Sequence, residues 1–229
     1  MVFIDAGGIL MSNYKKYNAV IFDLDGTLLD TLEDLTDAVN HTMHKFNYPK
    51  HTLEEVRSFV GNGIKVLIER SLKDGLDTPN FENILDEFRQ YYTANCRVKT
   101  QPYPGIMELL EKLYESGYKL SIVSNKNQAA VTELNNIYFS KYISIAIGNS
   151  KNIRQKPAPD TTLKAMEEMD CTKDMCVYVG DSEVDIETAK NAGLDCVSVS
   201  WGFREKNLLE KLNPDSVIDS PKELLRYLL

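Results

Sequence analysis

Hydrophobic residues in this chain follow two patterns, one typical of strands and one of helices. Residues 19–22 form a short apolar run whose length suits a strand buried on both faces. The run breaks abruptly into Asp23 and Asp25, just before Gly26. Residues that follow a strand of this kind emerge at its carboxyl end, where open α/β sheets bind ligands. The two aspartates are therefore candidates for a binding site.

The segment from residue 31 to about residue 98 has a helical pattern throughout. Apolar residues recur there at the three- and four-residue spacing of helix faces. We expect a block of helices without strands. The sequence KTQPYPG at 99–105 follows, and its two prolines and glycine predict a break in regular structure and a hinge.

After this break, strand and helix patterns alternate to about residue 199. The predicted helices lie near 105–117, near 127–138, after Pro159 and at 182–192, and the predicted strands lie at 118–124, 142–148, 176–180 and 196–199. Alternation of this kind implies a parallel sheet with right-handed crossovers. We therefore predict a Rossmann-like α/β fold, with helices on both faces of a parallel sheet and an all-helical cap domain inserted after the first strand.

These patterns divide the chain into three parts. Residues 14–30 and 100–229 are expected to form the Rossmann-like domain, and residues 31–99 the helical cap domain. Residues 1–13 are expected to be a peripheral extension, because polar residues follow Met11 before the first convincing strand.

Composition narrows the classes of partner. The chain of 229 residues has 34 acidic and 26 basic residues, a net charge of −8, and no block of lysine or arginine. This balance opposes binding to nucleic acid or anionic lipid. No apolar stretch approaches the roughly 20 residues of a membrane-spanning helix, and no secretory signal is recognisable. We expect a cytoplasmic protein that does not associate with membranes, either a monomer or a homodimer.

Asp23 and Asp25 are close enough to repel each other unless a cation lies beside them. Mg²⁺ is the hard, oxygen-seeking candidate, because it binds a few carboxylates together with substrate phosphate and water. A solvated turn at the end of a strand is the alternative interpretation of the two aspartates alone.

Three further motifs follow in order. After FDLDGTLLDT come VSNK at 123–126, KPAPD at 156–160 and VGDSEVD at 179–185. This series resembles the four motifs of the haloacid dehalogenase superfamily, and the resemblance extends from residue 18 to the end of the chain. A phosphate-transferring active site at the carboxyl ends of the strands is what the resemblance implies.

The resemblance also implies individual roles. Asp23 would be the nucleophile that forms an aspartyl phosphate, and Asp25 the general acid and base. Ser124 would donate a hydrogen bond to a phosphoryl oxygen, with the Asn125 amide beside it. Lys156 would supply a positive charge that offsets the phosphate and the nucleophile.

The metal site implied by the resemblance is a magnesium site. Asp181 would bind Mg²⁺ together with the Asp23 carboxylate and the backbone carbonyl of Asp25. Asp185 would orient metal-bound water or Lys156 without binding the ion itself. Glu183, between these two aspartates, is expected to be a surface residue.

Within the helical segment, Gly61, Asn62 and Gly63 precede an apolar helix. As local structure they predict a helix–helix turn with positive φ angles. They also resemble the cap segment of phosphoglycolate phosphatases, in which case the loop would contact the non-reacting end of a small phosphorylated metabolite. Lys65 or Arg70 would then be available to bind a substrate carboxylate.

The resulting hypothesis is a magnesium-dependent phosphomonoester hydrolase, with 2-phosphoglycolate as the expected substrate. Three relatives of the same superfamily share all four motifs and stay open as alternatives: a sugar-phosphate mutase of the β-phosphoglucomutase type, a pyrophosphatase and a nucleotide phosphatase. A regulatory binding module without activity is the non-enzymatic alternative. It is disfavoured because it predicts a degraded motif, whereas each motif residue is present.

Overall fold

The computed structural model describes residues 16–151 and 153–229. The predicted extension at residues 1–13 lies outside this part of the chain. The strands in the described part, in chain order, are β1 (Ala19–Phe22), β2 (Leu29–Asp30), β3 (Gln101–Pro102), β4 (Lys119–Asn127), β5 (Ile145–Asn149), β6 (Cys176–Gly180), β7 (Asp195–Val199) and β8 (Ser216–Ile218).

Ten α-helices accompany these strands within the described residues. They are α1 (Leu32–Lys45), α2 (Leu53–Phe59), α3 (Gly63–Arg70), α4 (Phe81–Asn95), α5 (Ile106–Glu115), α6 (Gln128–Tyr138), α7 (Asp160–Glu168), α8 (Glu183–Ala192), α9 (Lys206–Lys211) and α10 (Pro221–Leu228).

Six of the strands form one parallel sheet in the order β5-β4-β1-β6-β7-β8. Side chains of β1 alternate between its two faces, as they must in a strand. Val20 and Phe22 enter a hydrophobic cluster with α5, α6 and α10, whereas Ala19 and Ile21 enter a second cluster with α7 and α8. Helices therefore cover both faces, and the predicted Rossmann-like α/β fold is confirmed.

Helices α1 to α4 form the helical insertion, by which we mean residues 31–99. Apolar faces of these helices enclose a separate hydrophobic cluster, which Phe203 of the sheet domain joins and in which Met43, Ile68 and Phe88 are fully buried. The insertion therefore has its own core, distinct from the two clusters that flank the sheet. That it moves as a separate cap domain stays a prediction.

The two connections to the helical insertion are joined to each other. Strands β2 and β3 pair antiparallel, with Leu29 opposite Pro102. The buried carboxylate of Asp34, at the start of α1, accepts hydrogen bonds from the backbone N–H groups of Lys99 and Thr100 and from the Thr100 hydroxyl, at 2.8–3.1 Å. The segment predicted to be irregular is therefore partly a strand and is anchored by one aspartate.

The structure departs from the predicted elements in two further places. Strand β4 continues to Asn127 rather than ending at residue 124, because Asn127 pairs with Asn149 of β5 after a register shift. The final part of the chain adds α9, β8 and α10, for which no element was predicted. No helix in the described residues is both long and apolar enough to cross a membrane.

We expect Asp34→Ala to lower the free energy of unfolding by about 2 to 4 kcal/mol, because the buried N–H and hydroxyl of Thr100 and the part-buried N–H of Lys99 lose a charged acceptor. Urea denaturation followed by circular dichroism measures this change. The control is Asp37→Ala in the same helix, whose exposed carboxylate pairs with the Lys99 ammonium. Its loss should stay below about 1 kcal/mol. Equal losses in the two variants would contradict the anchoring role of Asp34.

Candidate active site

Two of the predicted aspartates meet where neighbouring strands end. Strand β1 pairs with β6, so Asp23 and Asp181 emerge side by side at the carboxyl edge of the sheet. Both are buried, and Asp181 is only 1% exposed. Carboxylate oxygens of Asp23, Asp181 and Asp185 lie within 4.8 Å of one another. The edge of the sheet therefore carries a compact group of acidic oxygens.

The turn after β1 folds directly onto Asp181. Gly26 has a φ of +90°, and a Cβ atom built on it would lie 2.4 Å from an Asp181 carboxylate oxygen. The Thr27 hydroxyl and the Phe203 backbone N–H donate hydrogen bonds to the same carboxylate, at 3.2 and 2.7 Å. Glycine is thus required at position 26 both for its backbone conformation and for this close approach.

Lys156 lies between two of the carboxylates. Its ammonium donates to Asp23 at 2.7 Å and to Asp185 at 2.8 Å, and it also contacts the Tyr178 hydroxyl at 3.1 Å. Burial alone would lower the pKa of Lys156, but the Asp185 and Asp23 carboxylates raise it well above its ordinary value. Lys156 is therefore a fixed cation beside Asp23.

Asp185 holds this lysine from the first turn of α8. One of its oxygens accepts from Lys156 and Tyr178, and the other accepts from the backbone N–H and hydroxyl of Ser182. Both oxygens are therefore engaged by protein groups. This geometry suits the predicted role of orienting Lys156 better than direct metal binding.

Burial raises the pKa values of the other two carboxylates, those of Asp23 and Asp181, despite the donors around them. Burial raises the pKa of Asp23 to about 7; the Lys156 ammonium lowers it and the Asp185 carboxylate raises it again. Burial and the Asp185 and Asp23 carboxylates also raise the pKa of Asp181 well above its usual value. A divalent cation between Asp23 and Asp181 would remove this repulsion, and an all-oxygen donor set fits Mg²⁺. The residues present therefore fit the predicted metal.

Asp25 points away from this group of acids. Its carboxylate accepts a hydrogen bond from the Lys126 ammonium at 2.6 Å, and that ammonium also donates to the Tyr92 hydroxyl of α4 at 2.8 Å. Burial would lower the pKa of Lys126, but Asp25 and Tyr92 raise it above its ordinary value. The two aspartates of the first motif thus have different partners, Lys156 for Asp23 and Lys126 for Asp25.

Strand β4 places three consecutive side chains at the same site. Ser124, Asn125 and Lys126 all line the cavity beside Asp23 and Asp25. The Asn125 amide binds both backbone groups of Lys156, accepting from its N–H at 2.8 Å and donating to its carbonyl at 3.1 Å. Asn125 therefore fixes the position of the lysine loop relative to β4.

The cavity lies between the sheet edge and the helical insertion. It has a volume of about 60 Å³, enough for a few water molecules or a small ligand. The sheet domain supplies most of its charged groups, whereas the insertion supplies apolar side chains such as Leu35, Val60 and Leu67. A cavity of this kind offers a small polar ligand charged groups on one wall and apolar groups on the other.

The glycine loop of the insertion reaches this cavity. Gly61 and Gly63 line it, and the Gly61 carbonyl accepts a weak hydrogen bond from the Asn125 amide at 3.3 Å. Asn62 does not line the cavity, since its side chain accepts from Arg70 at 3.2 Å. The loop therefore meets the site through its backbone.

Lys65 and Arg70 do not lie at the cavity, contrary to the expectation that they would bind a substrate carboxylate. The Lys65 ammonium is exposed and lies 4.0 Å from Glu82, and the Arg70 guanidinium donates to Phe59 and Asn62 on the outside of the insertion. Both residues follow the glycine loop closely in the sequence, but their side chains lie on the face of α3 that points away from the cavity.

Two other cations line the cavity, Lys126 and Arg204. Arg204 forms a two-point ion pair with Glu183, at 2.6 and 2.9 Å, and donates to the carbonyls of Val60 and Arg57 at the end of α2. Glu183, expected to be a surface residue, has a side chain that is 39% exposed and pairs with Arg204. Sequence patterns gave no signal for Arg204, whereas Lys126 follows the Ser-Asn pair directly.

The sequence profile of the haloacid dehalogenase-like hydrolases matches residues 20–199 of this chain. The chain belongs to the haloacid dehalogenase-like hydrolases. The match includes the strands that carry Asp23, Ser124 and Asp181, and the predicted resemblance is thus confirmed.

Curated relatives of this hydrolase are phosphatases. Phosphoglycolate phosphatase from Aquifex aeolicus is 31% identical over 210 residues, which cover 91% of this chain and 95% of the relative. Phosphoglycolate phosphatase 1 from Pseudomonas aeruginosa is 33% identical over 212 residues, which cover 90% of this chain and 78% of the relative. These relatives confirm the prediction that the chain is an enzyme of the phosphatase class.

Solved structures agree with the fold. The crystal structure of a proposed phosphoglycolate phosphatase from Lactobacillus delbrueckii subsp. bulgaricus has a TM-score of 0.89 at 35% identity, covering 93% of this chain and 99% of that one. A second, from Haemophilus somnus 129pt, has a TM-score of 0.87 at 26% identity, covering 95% and 100%.

The raised pKa values predict how stability depends on pH when metal is removed by EDTA. The folded state keeps protons on Asp23 and Asp181 that the unfolded state has already released, so stability should fall as pH rises from about 4 to about 8. Thermal melts across this range measure the fall.

Asp181→Asn should flatten this pH profile, and excess Mg²⁺ should raise the melting temperature of the wild type at the upper end of the range. The exposed Asp74→Asn is the control, with the wild-type slope expected. A slope that is unchanged in Asp181→Asn would contradict the proposed crowding of the acids.

Proposed function

We propose that this hydrolase is a Mg²⁺-dependent phosphatase that acts on a small phosphorylated metabolite, 2-phosphoglycolate, through a phosphorylated Asp23. The proposal depends chiefly on one observation: the buried Asp23 carboxylate lines the cavity next to Lys156 and Asp181, and Asp25, held by its own lysine, lines the same cavity. A nucleophile, a neutralising cation and a separate acid are thus within one small site.

The first step is attack of an Asp23 oxygen on the phosphorus of the bound ester. The Lys156 ammonium holds the Asp23 carboxylate in position and offsets the negative charge of the incoming phosphate. Ser124, 2% exposed, lies where its hydroxyl can donate to a phosphoryl oxygen. Phosphoryl transfer of this kind needs mainly correct positioning and neutralised charge.

Asp25 completes both halves of the reaction. It donates a proton to the departing alkoxide, and it later accepts a proton from the water that hydrolyses the aspartyl phosphate. Lys126 and Tyr92 fix the direction of its carboxylate. The two aspartates differ in role because their surroundings differ.

Magnesium would be held by the Asp23 and Asp181 carboxylates, together with the Asp25 backbone carbonyl that the family resemblance implies. When bound, the ion would supply positive charge that offsets the phosphate and the crowded acids. Asp185 would contribute indirectly through Lys156.

The substrate is proposed from two kinds of support. The cavity is small, and the curated relatives that span most of this chain are phosphoglycolate phosphatases. A sugar-phosphate mutase, a pyrophosphatase or a nucleotide phosphatase would use the same four motifs, but no observation in this site favours one of them. A cytoplasmic location and a monomeric or homodimeric state stay predictions from the sequence.

The test is Mg²⁺-dependent phosphate release from 2-phosphoglycolate, measured beside hexose phosphates, nucleotides and pyrophosphate. We expect the highest kcat/KM for 2-phosphoglycolate, and a loss of about 10³-fold or more in Asp23→Asn, because the nucleophile is removed. Asp219→Asn, on the exposed surface, is the matched control and should keep full activity. A preference for another substrate would contradict the assignment to phosphoglycolate, and activity in Asp23→Asn would contradict the mechanism.

Asp25→Asn should separate the two halves of the reaction. With p-nitrophenyl phosphate, whose leaving group needs no proton, we expect a burst of one p-nitrophenol per active site followed by slow turnover, because hydrolysis of the intermediate lacks its base. Mass spectrometry of the quenched protein should locate the phosphoryl group on Asp23. A steady rate without a burst, or phosphate on another residue, would contradict the covalent route.

A further inference from the structure

We propose that Lys126 binds the carboxylate of the substrate, so that selectivity for an acidic phosphate ester is determined by β4 and not by the lysine and arginine of the helical insertion. The inference rests on the proposed function and adds a specificity-determining residue to it. Lys126 also binds Asp25. Its possible roles are therefore binding of the substrate carboxylate and positioning of Asp25, and the experiment below separates them.

Lys126 lies in the cavity close to Asp25, where the leaving group of the substrate is expected. It lies two residues after Ser124, lines the same cavity and is only 8% exposed. Its ammonium is 2.6 Å from Asp25, the group expected to protonate the ester oxygen of the leaving group. In 2-phosphoglycolate one CH₂ group separates this oxygen from the carboxylate. A cation beside Asp25 therefore lies beside the atoms that distinguish an acidic substrate from a neutral one.

Lys126 also retains a donor. A lysine ammonium has three N–H groups, and within residues 16–151 and 153–229 this one has two hydrogen-bond partners, the Asp25 carboxylate and the Tyr92 hydroxyl. The third N–H can bind a substrate oxygen without breaking either bond. Because Tyr92 comes from α4 of the helical insertion, the ammonium is held from both sides of the cavity.

The other cations on the cavity wall are committed elsewhere. Lys156 has four acceptors around its ammonium, including the Asp23 and Asp185 carboxylates. Arg204 uses four of its five N–H groups, two on Glu183 and two on backbone carbonyls, and none of these hydrogen bonds is to Asp23 or Asp25. Lys65 and Arg70 lie outside the cavity. Among the described residues, Lys126 is the cavity cation that both keeps an N–H group available and contacts Asp25.

Binding measurements test the inference independently of turnover. In the Asp23→Asn background with saturating Mg²⁺, isothermal titration calorimetry compares three ligands of similar size: 2-phosphoglycolate, 2-hydroxyethyl phosphate and 2-aminoethyl phosphate. They carry an anionic, a neutral and a cationic group at the same position. We expect affinity to fall in that order, with 2-phosphoglycolate about 10- to 100-fold tighter than the neutral ligand, as for a hydrogen bond to a charged group.

Lys126→Met should remove this preference and leave similar affinities for the acidic and neutral ligands, whereas Lys126→Arg should retain much of it. Lys65→Met, on the exposed face of α3, is the control and should keep the wild-type order. Circular dichroism establishes folding of each variant. If Lys126→Met does not fold, Lys126→Gln, which keeps a hydrogen-bond donor without the charge, takes its place and should show the same loss of preference.

Two results would overturn the inference. One is equal affinity for the three ligands with Lys126 intact. The other is a loss of affinity in Lys126→Met that is equal for the acidic and the neutral ligand. Lys126 would then only position Asp25. Failure of the proposed function gives a different result, since an Asp23-intact enzyme would then release no phosphate from 2-phosphoglycolate whatever its binding order.

Discussion

The buried ion cluster around Lys156 is the constraint on which the arrangement of the site depends. Lys156 contacts Asp23 and Asp185 through an ammonium that is almost wholly enclosed. Removing one member of such a cluster leaves its partners charged and without water, which is costly in a protein interior. The strands and loops that end near this lysine must therefore be positioned accurately relative to it. Asn125 does this for β4, because its amide binds both the N–H and the carbonyl of Lys156.

The parallel sheet and the helical insertion contribute different physical properties to one cavity. The sheet edge supplies charge, because β1 and β6 end side by side directly before Asp23 and Asp181, and the neighbouring β4 carries Ser124 and Lys126. The insertion supplies apolar surface and the backbone of the glycine loop. Arg204 joins the two by binding the end of α2 while pairing with Glu183, two residues after Asp181. Charge is thus concentrated on one wall, and water is excluded by the other.

The sequence was sufficient to predict the sheet and the group of motif residues, because the first and last motifs directly follow apolar strands, Ser124 lies within another, and parallel strands align their carboxyl ends. It was insufficient for Lys65 and Arg70, since helical spacing does not say which face of α3 meets the sheet. Lys126 was missed because its partner Asp25 lies 101 positions away along the chain. Strands β2 and β3, of two residues each, are too short for any periodicity to appear.

The joined connections at Asp34 have a consequence for how this chain can change. The helical insertion departs and returns at adjacent points, fixed to each other by the β2–β3 ladder and by one carboxylate. Its length and helix number can therefore vary without altering the spacing of the strands that carry the motif residues. The insertion is in this sense an exchangeable module: grafting a different helical segment between residues 34 and 99 would replace the apolar wall of the cavity and the Tyr92 contact to Lys126, while the strands that carry the motif residues keep their spacing.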